Sequence, residues 1–168
     1  GAFAASIPAR GTVADLGCGP ARDAARFAEA GFNVLGMDLS AGMLAMASSA
    51  MDGRLVQADL RALPIRASTL DGIWCCASLL HVPEADTPTV LREFRRTLTS
   101  GGSLALVTAL GGGARFEPVP YAPGEQRWFA YRTAGTLADQ LRSAGFTIRS
   151  STRVTSRRDW GLVLAAAF

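Results

Sequence analysis

The chain has 168 residues and a net charge of +3, with 49% hydrophobic and 18% charged residues. This size suits one domain with a sizeable core, and the composition is that of an ordinary globular protein. No apolar run reaches membrane-spanning length, and the first ten residues lack the basic and apolar regions of a signal peptide. We therefore expect a cytoplasmic protein without a membrane partner.

The predicted elements alternate between strands and helices along most of the chain. The predicted strands comprise residues 12–15, 33–37, 55–58, 70–76, 103–109, 146–154 and 160–168. The predicted helices comprise residues 21–30, 41–50, 87–98 and 133–144. Residues 110–132 are rich in Gly and Pro and are predicted to form a long irregular loop. This pattern, with a closing antiparallel pair, predicts a doubly wound α/β sheet with one reversed strand.

The charged residues and cysteines limit the partners that we expect. All 17 basic residues are arginines and are scattered, which favours a solvated surface over a nucleic-acid-binding face. The three cysteines, Cys18, Cys75 and Cys76, lack metal-ligand spacing, and their odd number suits a reducing compartment. We therefore expect neither a metal nor a nucleic-acid partner.

A glycine turn in the segment VADLGCGPARDA, residues 13–24, follows the first predicted strand. Gly17 and Gly19 allow a sharp turn and a close approach of the backbone to a ligand, and Pro20 suits the first turn of a helix. The free N–H groups at the start of that helix would point at the ligand. The dinucleotide-binding fingerprint requires a third glycine where Arg22 stands, so this turn departs from it.

Three acidic residues, Asp15, Asp38 and Asp59, each follow a predicted parallel strand. The carboxyl ends of such strands form the ligand-binding edge of an open α/β sheet. Helix capping is the alternative role for these carboxylates. Asp38 lies 19 residues beyond Gly19, which suits a carboxylate that accepts hydrogen bonds from ribose hydroxyls. NAD-binding folds share this spacing, so it does not by itself identify the ligand.

Five segments spread over residues 13–108 resemble, in the same order, the motifs of class I S-adenosylmethionine-dependent methyltransferases. They are DLGCGPARDA, VLGMDLSAGMLAMA, VQADLRALPI, LDGIWCCASLLHV and LREFRRTLTSGGSLALV. The resemblance is greatest to bacterial small-molecule enzymes of the ubiquinone/menaquinone-like branch. It implies a Rossmann-like, mostly parallel seven-stranded sheet in the order 3-2-1-4-5-7-6, with strand 7 antiparallel. It also implies S-adenosyl-L-methionine as cofactor and S-adenosyl-L-homocysteine as product.

The resemblance also assigns cofactor-binding positions. Those around the methionine part and the sulfonium are Asp15, Gly17, Cys18, Gly19, Arg22, Cys76, Ala77 and Ser78. Those around the ribose and adenine are Asp38, Leu39, Met43, Asp59 and Leu60. In this assignment Asp15 holds the ammonium, directly or through water, Asp38 binds the ribose hydroxyls, and Asp59 accepts from the adenine amino group. Arg22 either meets the cofactor carboxylate or faces solvent.

His81, the only histidine, is the candidate for a general base or for a residue that orients the methyl acceptor. The alternative is a structural histidine in the turn LLHVP. Three aromatic residues of the predicted loop, Tyr121, Trp128 and Tyr131, are candidates for the walls of an acceptor pocket, and Phe129 is a fourth for which packing onto the sheet is favoured. Packing of the loop onto the sheet is the alternative role for these rings.

The family resemblance implies one methyltransferase domain over residues 1–168. Only 12 residues precede Val13, so we expect either that the usual N-terminal cap helices of the family are absent or that the chain is a trimmed fragment. The expected function is S-adenosylmethionine-dependent methyl transfer (EC 2.1.1.-) to a small molecule by in-line displacement, by a monomer or homodimer. Two alternatives are a tRNA or RNA-base methyltransferase and a trimmed cofactor-binding module without catalysis. A nicotinamide dehydrogenase is less compatible, because Arg22 replaces a small residue.

Overall fold

The computed structural model describes residues 1–51, 53–119 and 124–168. The helices are α1 (Ala2–Ala5), α2 (Arg22–Glu29), α3 (Ala41–Met51), α4 (Thr87–Thr97) and α5 (Ala134–Ser143). The strands are β1 (Thr12–Leu16), β2 (Asn33–Asp38), β3 (Leu55–Gln57), β4 (Leu70–Cys76), β5 (Leu98–Ala109), β6 (Ala114–Pro118), β7 (Gln126–Ala130), β8 (Phe146–Thr155) and β9 (Asp159–Ala167). Short 3₁₀ turns span Leu79–His81 and Glu84–Asp86.

Seven of the described strands form one sheet in the order β3-β2-β1-β4-β5-β9-β8. The first five positions are parallel, whereas β9 runs antiparallel to both β5 and β8. This is the predicted order, because β8 and β9 are the sixth and seventh strands of the sheet. The doubly wound, Rossmann-like arrangement is therefore confirmed.

Two hydrophobic layers cover opposite faces of the sheet, as shown by the side chains of β4, which point alternately to one face and the other. Ile73 and Cys75 lie in a core cluster with the buried side chains of α4 and α5. Trp74 points to the other face, where its ring lies 5.5 Å from those of Phe3 in α1 and Phe27 in α2. Because side chains alternate along a strand, a continuous apolar run such as IWCC requires helices on both faces. No helix of the described chain is both long and apolar enough to cross a membrane.

The glycine turn joins β1 to α2 at the carboxyl edge of the sheet. The amides of Gly17 and Cys18 both donate to the carbonyl oxygen of Met37, at 2.7 and 2.9 Å, which ties the turn to the end of β2. Helix α2 begins at Arg22 rather than at the predicted residue 21. Ala21 precedes it with φ of +58°, in the left-handed region that favours glycine.

The prediction of an irregular loop over residues 110–132 is wrong, because much of this segment forms an antiparallel hairpin of β6 and β7. Phe116 lies opposite Trp128 in this hairpin, with their ring centroids 5.2 Å apart. Such cross-strand aromatic pairs stabilise a hairpin despite its many glycines and prolines. The predicted acceptor-pocket residue Tyr121 lies outside the described residues.

Strand β5 also begins earlier than predicted, at Leu98 instead of residue 103. Its first residue pairs with Leu70, and the register then shifts before Gly72 pairs with Ser103. Gly101 takes a φ of +78° within the shifted stretch. A glycine that looks like a helix stop in the sequence therefore lies at an irregularity inside a strand.

Candidate active site

A cleft of about 600 Å³ opens at the carboxyl edge of the parallel strands. Nine of the thirteen cofactor-binding residues predicted from the sequence line it: Gly17, Gly19, Asp38, Leu39, Met43, Asp59, Leu60, Ala77 and Ser78. They come from the loops after β1, β2, β3 and β4, which the parallel order brings to one edge. Trp128 and Arg127 of the hairpin reach the same cleft.

Asp38 is held at the end of β2 by two backbone amides. Its Oδ2 accepts a hydrogen bond from the N–H of Gly19 at 2.8 Å, and its Oδ1 accepts from the N–H of Ser40 at 2.8 Å. Each carboxylate oxygen has a second lone pair that these bonds do not use. The carboxylate is therefore fixed at the cleft with acceptor capacity left for hydroxyl groups.

The floor of the cleft is a close contact between Gly17 and Ser78. A Cβ atom on Gly17 would lie 1.8 Å from the Ser78 hydroxyl oxygen. Ala77, beside Ser78, has a φ of +53°, and its amide donates to the carbonyl of Val107 at 2.9 Å. The turn after β1 and the turn after β4 can approach this closely because residue 17 has no side chain.

Asp15 lies beneath the glycine turn and does not line the cleft. It is 3% exposed, and its Oδ2 accepts a hydrogen bond from the N–H of Ala24 in α2 at 3.1 Å. Burial, with a smaller contribution from Asp23, raises the pKa of Asp15 to about 7. The carboxyl group thus caps α2, which was the alternative role considered from the sequence. Its proposed contact with the cofactor ammonium stays a prediction.

Three other predicted cofactor-binding residues, Cys18, Arg22 and Cys76, also lie away from the cleft lining. The side chain of Cys18 is buried, and burial raises the pKa of its thiol to about 12, which disfavours a thiolate. Arg22 is exposed on the first residue of α2. Their assignments to the cofactor therefore stay predictions.

Asp59 lines the cleft with its carboxylate paired to an arginine. Its Oδ2 lies 2.7 Å from one terminal nitrogen of Arg61. The other terminal nitrogen of Arg61 lies 2.9 Å from Oδ2 of Asp86. The hydrogen bond with Arg61 lowers the pKa of Asp59, so the carboxylate stays ionised at neutral pH. Three N–H groups of Arg61 donate to this carboxylate, including the backbone amide at 2.9 Å from Oδ1, so the assignment of Asp59 to the adenine amino group stays a prediction.

His81 stands at the end of the 3₁₀ turn that follows β4. Its Nδ1 lies 2.8 Å from the backbone carbonyl oxygen of Trp128. A carbonyl can only accept, so Nδ1 carries the proton and donates, which leaves Nε2 as an acceptor in the neutral ring. Burial lowers the pKa of His81, so the neutral form prevails at neutral pH. The ring also packs edge-to-face on Phe129, with centroids 4.9 Å apart.

A second cavity of about 250 Å³, which we call the acceptor cavity, adjoins the cleft. Ala77, His81 and Arg127 line both spaces. Its other side chains include Phe129 of β7 and two residues near the start of the last strand, Arg158 and Trp160. In the sequence, Arg158 belongs to a cluster of arginines near the end of the chain for which a solvated surface is expected, and no local signal connects Arg127 or Trp160 with a ligand.

Two other described aromatic candidates from the sequence have different positions. Trp128 lines the cofactor cleft, whereas Tyr131 is buried and lines neither the cleft nor the acceptor cavity. The Tyr131 hydroxyl donates to Glu117 and accepts from Arg158 at 2.8 Å. Tyr131 therefore supports a residue of the acceptor cavity, and its role as a direct wall stays a prediction.

The chain matches a family model described as a methyltransferase domain over residues 13–102. Among characterised proteins, it is 38% identical to the malonyl-[acyl-carrier protein] O-methyltransferase of Enterobacter lignolyticus, over 64% of this chain and 43% of that protein. It is 41% identical to the trans-aconitate 2-methyltransferase of an Azoarcus species, over 56% of this chain and 38% of the other. The chain thus spans less than half the length of these relatives.

Two solved structures share the fold over nearly the whole chain. A methyltransferase described as SAM-dependent, from Methanosarcina mazei, superposes with a TM-score of 0.85 at 18% identity, covering 98% of this chain and 95% of the other. The 1,6-didemethyltoxoflavin-N1-methyltransferase of Burkholderia thailandensis was solved with bound 1,6-didemethyltoxoflavin and S-adenosylhomocysteine. It superposes with a TM-score of 0.79 at 25% identity, covering 99% of this chain and 75% of the other. The family match covers more than half of the chain. The chain therefore belongs to the methyltransferase domain family, within the class I S-adenosylmethionine-dependent methyltransferases.

Proposed function

We propose that this domain transfers the methyl group of S-adenosylmethionine to a small molecule bound in the acceptor cavity. The observation that carries the proposal is the shared lining of the two spaces by Ala77, His81 and Arg127. A molecule in the acceptor cavity would lie next to a cofactor in the cleft. The names of the relatives, which cite malonyl-[acyl-carrier protein], trans-aconitate and 1,6-didemethyltoxoflavin, agree with modest-sized acceptor groups.

The residues of the cleft fit this cofactor. Gly19 leaves the backbone open to an amino-acid moiety, and the fixed carboxylate of Asp38 suits the two hydroxyls of a ribose. Leu39 is 63% exposed at the cleft and offers an apolar surface for an adenine ring, beside Met43. Asp59 would accept from the exocyclic amino group of that ring in exchange for one of its hydrogen bonds to Arg61.

The bound cofactor supplies a methyl group that is already activated by attachment to a positively charged sulfur. The contribution of the protein is therefore to align the acceptor and to keep water away. The turn at Ala77 and Ser78 sets the boundary between the cleft and the acceptor cavity. His81 accepts a hydrogen bond or a proton at Nε2 from the acceptor, because its Nδ1–H is already committed to the Trp128 carbonyl.

Calorimetry with S-adenosylhomocysteine tests the cofactor site. We expect the wild-type domain to bind it and Asp38→Ala to bind about tenfold or more weakly, because a charge-assisted hydrogen bond is lost. Asp139→Ala is the matched control, since Asp139 is an exposed acid of α5 paired only to Arg142 in the described structure. Absence of binding, or equal binding by Asp38→Ala and wild type, would refute the assignment.

Labelled S-adenosylmethionine separates the candidate activities. Incubation with a panel of small acids, amines and phenols is expected to give labelled small products. Label incorporated into tRNA instead would support the RNA-base alternative, whereas binding without transfer to any acceptor would support a non-catalytic module. We also place the domain in the reducing cytoplasm, in keeping with its free cysteine thiols.

A further inference from the structure

The acceptor cavity combines apolar walls with two guanidinium groups. Its walls include Leu80, Phe129 and Trp160, and its charged side chains are Arg127 and Arg158. Among the described residues, no acidic side chain lines it. The lining is therefore suited to a molecule that is apolar in one part and negatively charged in another.

Arg158 is held in one orientation by its neighbours. One of its terminal nitrogens donates to the Tyr131 hydroxyl at 2.8 Å, and the other donates to Oε2 of Glu117 at 2.9 Å. Its guanidinium carbon lies 4.6 Å from the ring centroid of Phe129. These bonds use two of the five N–H donors of a guanidinium. The group is thus preorganised with donor capacity for a further anion.

The positive charge around the cavity exceeds the local negative charge. Glu117 is shared between two arginines, Arg115 at 2.9 Å and Arg158 at 2.9 Å. Arg127 lies directly opposite Glu117 in the register of the hairpin. One carboxylate is therefore shared by two guanidinium groups, and the surplus positive charge attracts an anion into a cavity with partly apolar walls.

We propose that the acceptor is recognised through a carboxylate, with Arg158 as the specificity-determining residue and Arg127 assisting it. This inference rests on the methyl-transfer function proposed above. A planar carboxylate matches the fork of N–H donors on a guanidinium, and the apolar part of the acceptor packs against Phe129 and Trp160. A neutral acceptor of the same shape desolvates the guanidinium groups without adding a counter-charge to that of Glu117.

Phenylacetate and phenylacetamide provide a matched pair of probes, because they share a shape and differ in charge. Their dissociation constants are measured on the domain saturated with S-adenosylhomocysteine. We expect the wild type to prefer the acid by about tenfold, Arg158→Lys to retain part of that preference, and Arg158→Gln to lose it. Arg142→Gln, an exposed arginine of α5, is the control and is expected to behave as wild type.

Glu117→Gln is expected to change the affinity for phenylacetate in the direction opposite to Arg158→Gln. Removing this carboxylate leaves the arginines less neutralised, so the affinity for phenylacetate is expected to rise several-fold. A merely structural role of the cluster predicts weaker binding for both Glu117→Gln and Arg158→Gln. Equal affinity of acid and amide, a preference that survives in Arg158→Gln, or no binding of phenylacetate at millimolar concentration overturns the inference. Failure of S-adenosylhomocysteine to bind would instead refute the proposed function itself.

Discussion

Gly17 and Ser78 meet at the floor of the cofactor cleft, so closely that a Cβ on Gly17 would lie 1.8 Å from the Ser78 hydroxyl oxygen. Gly19, two residues later, also has a positive φ, but a Cβ there would have no heavy atom within 4 Å. The two glycines of the turn are therefore needed for different reasons. Gly17 makes room for another segment of the protein, whereas Gly19 leaves the space in front of it open.

Gly17→Ala is expected to destabilise the domain more than Gly19→Ala. Both substitutions strain a left-handed backbone, by about 1–2 kcal/mol, but only the first adds a steric clash of about 1–3 kcal/mol. Urea unfolding monitored by circular dichroism measures the difference. The double variant Gly17→Ala/Ser78→Gly removes the clashing atoms and is expected to recover most of it. Equal losses in the two single variants would show that the contact does not matter.

Asp15 makes the free energy of unfolding depend on pH. Its pKa rises from the ordinary 3.8 to about 7 on folding, so the unfolded chain loses this proton first. Below about pH 4 both states are protonated, and as the pH rises toward about 7 ionisation increasingly favours the unfolded state. Asp15→Asn keeps an oxygen for the Ala24 amide without the charge. Its stability relative to wild type is expected to grow by about 2–4 kcal/mol between pH 4 and pH 8.

The same variant addresses the predicted ammonium contact. If Asp15 acts on the cofactor as a carboxylate, Asp15→Asn weakens the binding of S-adenosylhomocysteine while it stabilises the free domain above pH 7. If capping of α2 is its whole role, calorimetry shows wild-type affinity. A stability difference between Asp15→Asn and wild type that stays flat with pH would contradict the burial argument. Asp139→Asn, at an exposed site, is the control.

His81 is expected to affect turnover rather than cofactor binding. Because burial lowers its pKa, the ring is neutral above its ordinary value of 6.5, and activity is expected to fall only at lower pH as the ring gains a proton. His81→Gln is expected to reduce kcat by about 100-fold while the affinity for S-adenosylhomocysteine changes little. An unchanged kcat, together with a lower melting temperature, would assign His81 the structural role.

Arg132 ties the His81 turn to the hairpin from inside the protein. It is 1% exposed, and all four of its described hydrogen bonds go to neutral oxygens of Val82, Ala130 and Thr87. Arg132→Met leaves these oxygens without a donor, and we expect a loss of about 2–4 kcal/mol in urea unfolding. The lysine side chain in Arg132→Lys cannot reach all three acceptor residues, so this variant is expected to recover only part of the lost free energy of unfolding. A stability equal to wild type in Arg132→Met would show that desolvation of the charge cancels the bonds.

The glycine turn and most of the cofactor cleft could be predicted from the sequence because their signals are local. Gly17, Gly19 and Asp38 each occupy the end of an apolar run, and parallel strands bring such ends to one edge. Asp15 has the same local pattern, yet its carboxylate turns under α2 to the Ala24 amide. The presence of an acidic residue at the end of a strand does not predict the side of the turn to which its carboxylate points.

The hairpin of β6 and β7 escaped prediction because its stability depends on pairing across the chain. Eleven residues that include three prolines separate Phe116 from Trp128, and the contact between the two rings exists only once both strands are aligned. The local composition of residues 110–132 is typical of a loop.

By itself, the sequence determined the fold class and the edge where the cofactor cleft lies, because hydrophobic periodicity and glycine turns act over a few residues, whereas the order of the strands followed from the family resemblance. Only the tertiary structure decided which residues form the acceptor cavity. Ala77, Arg127 and Arg158 come from distant segments, and they become neighbours through strand pairing and burial. Binding specificity depends on such long-range juxtaposition, which no short stretch of sequence encodes.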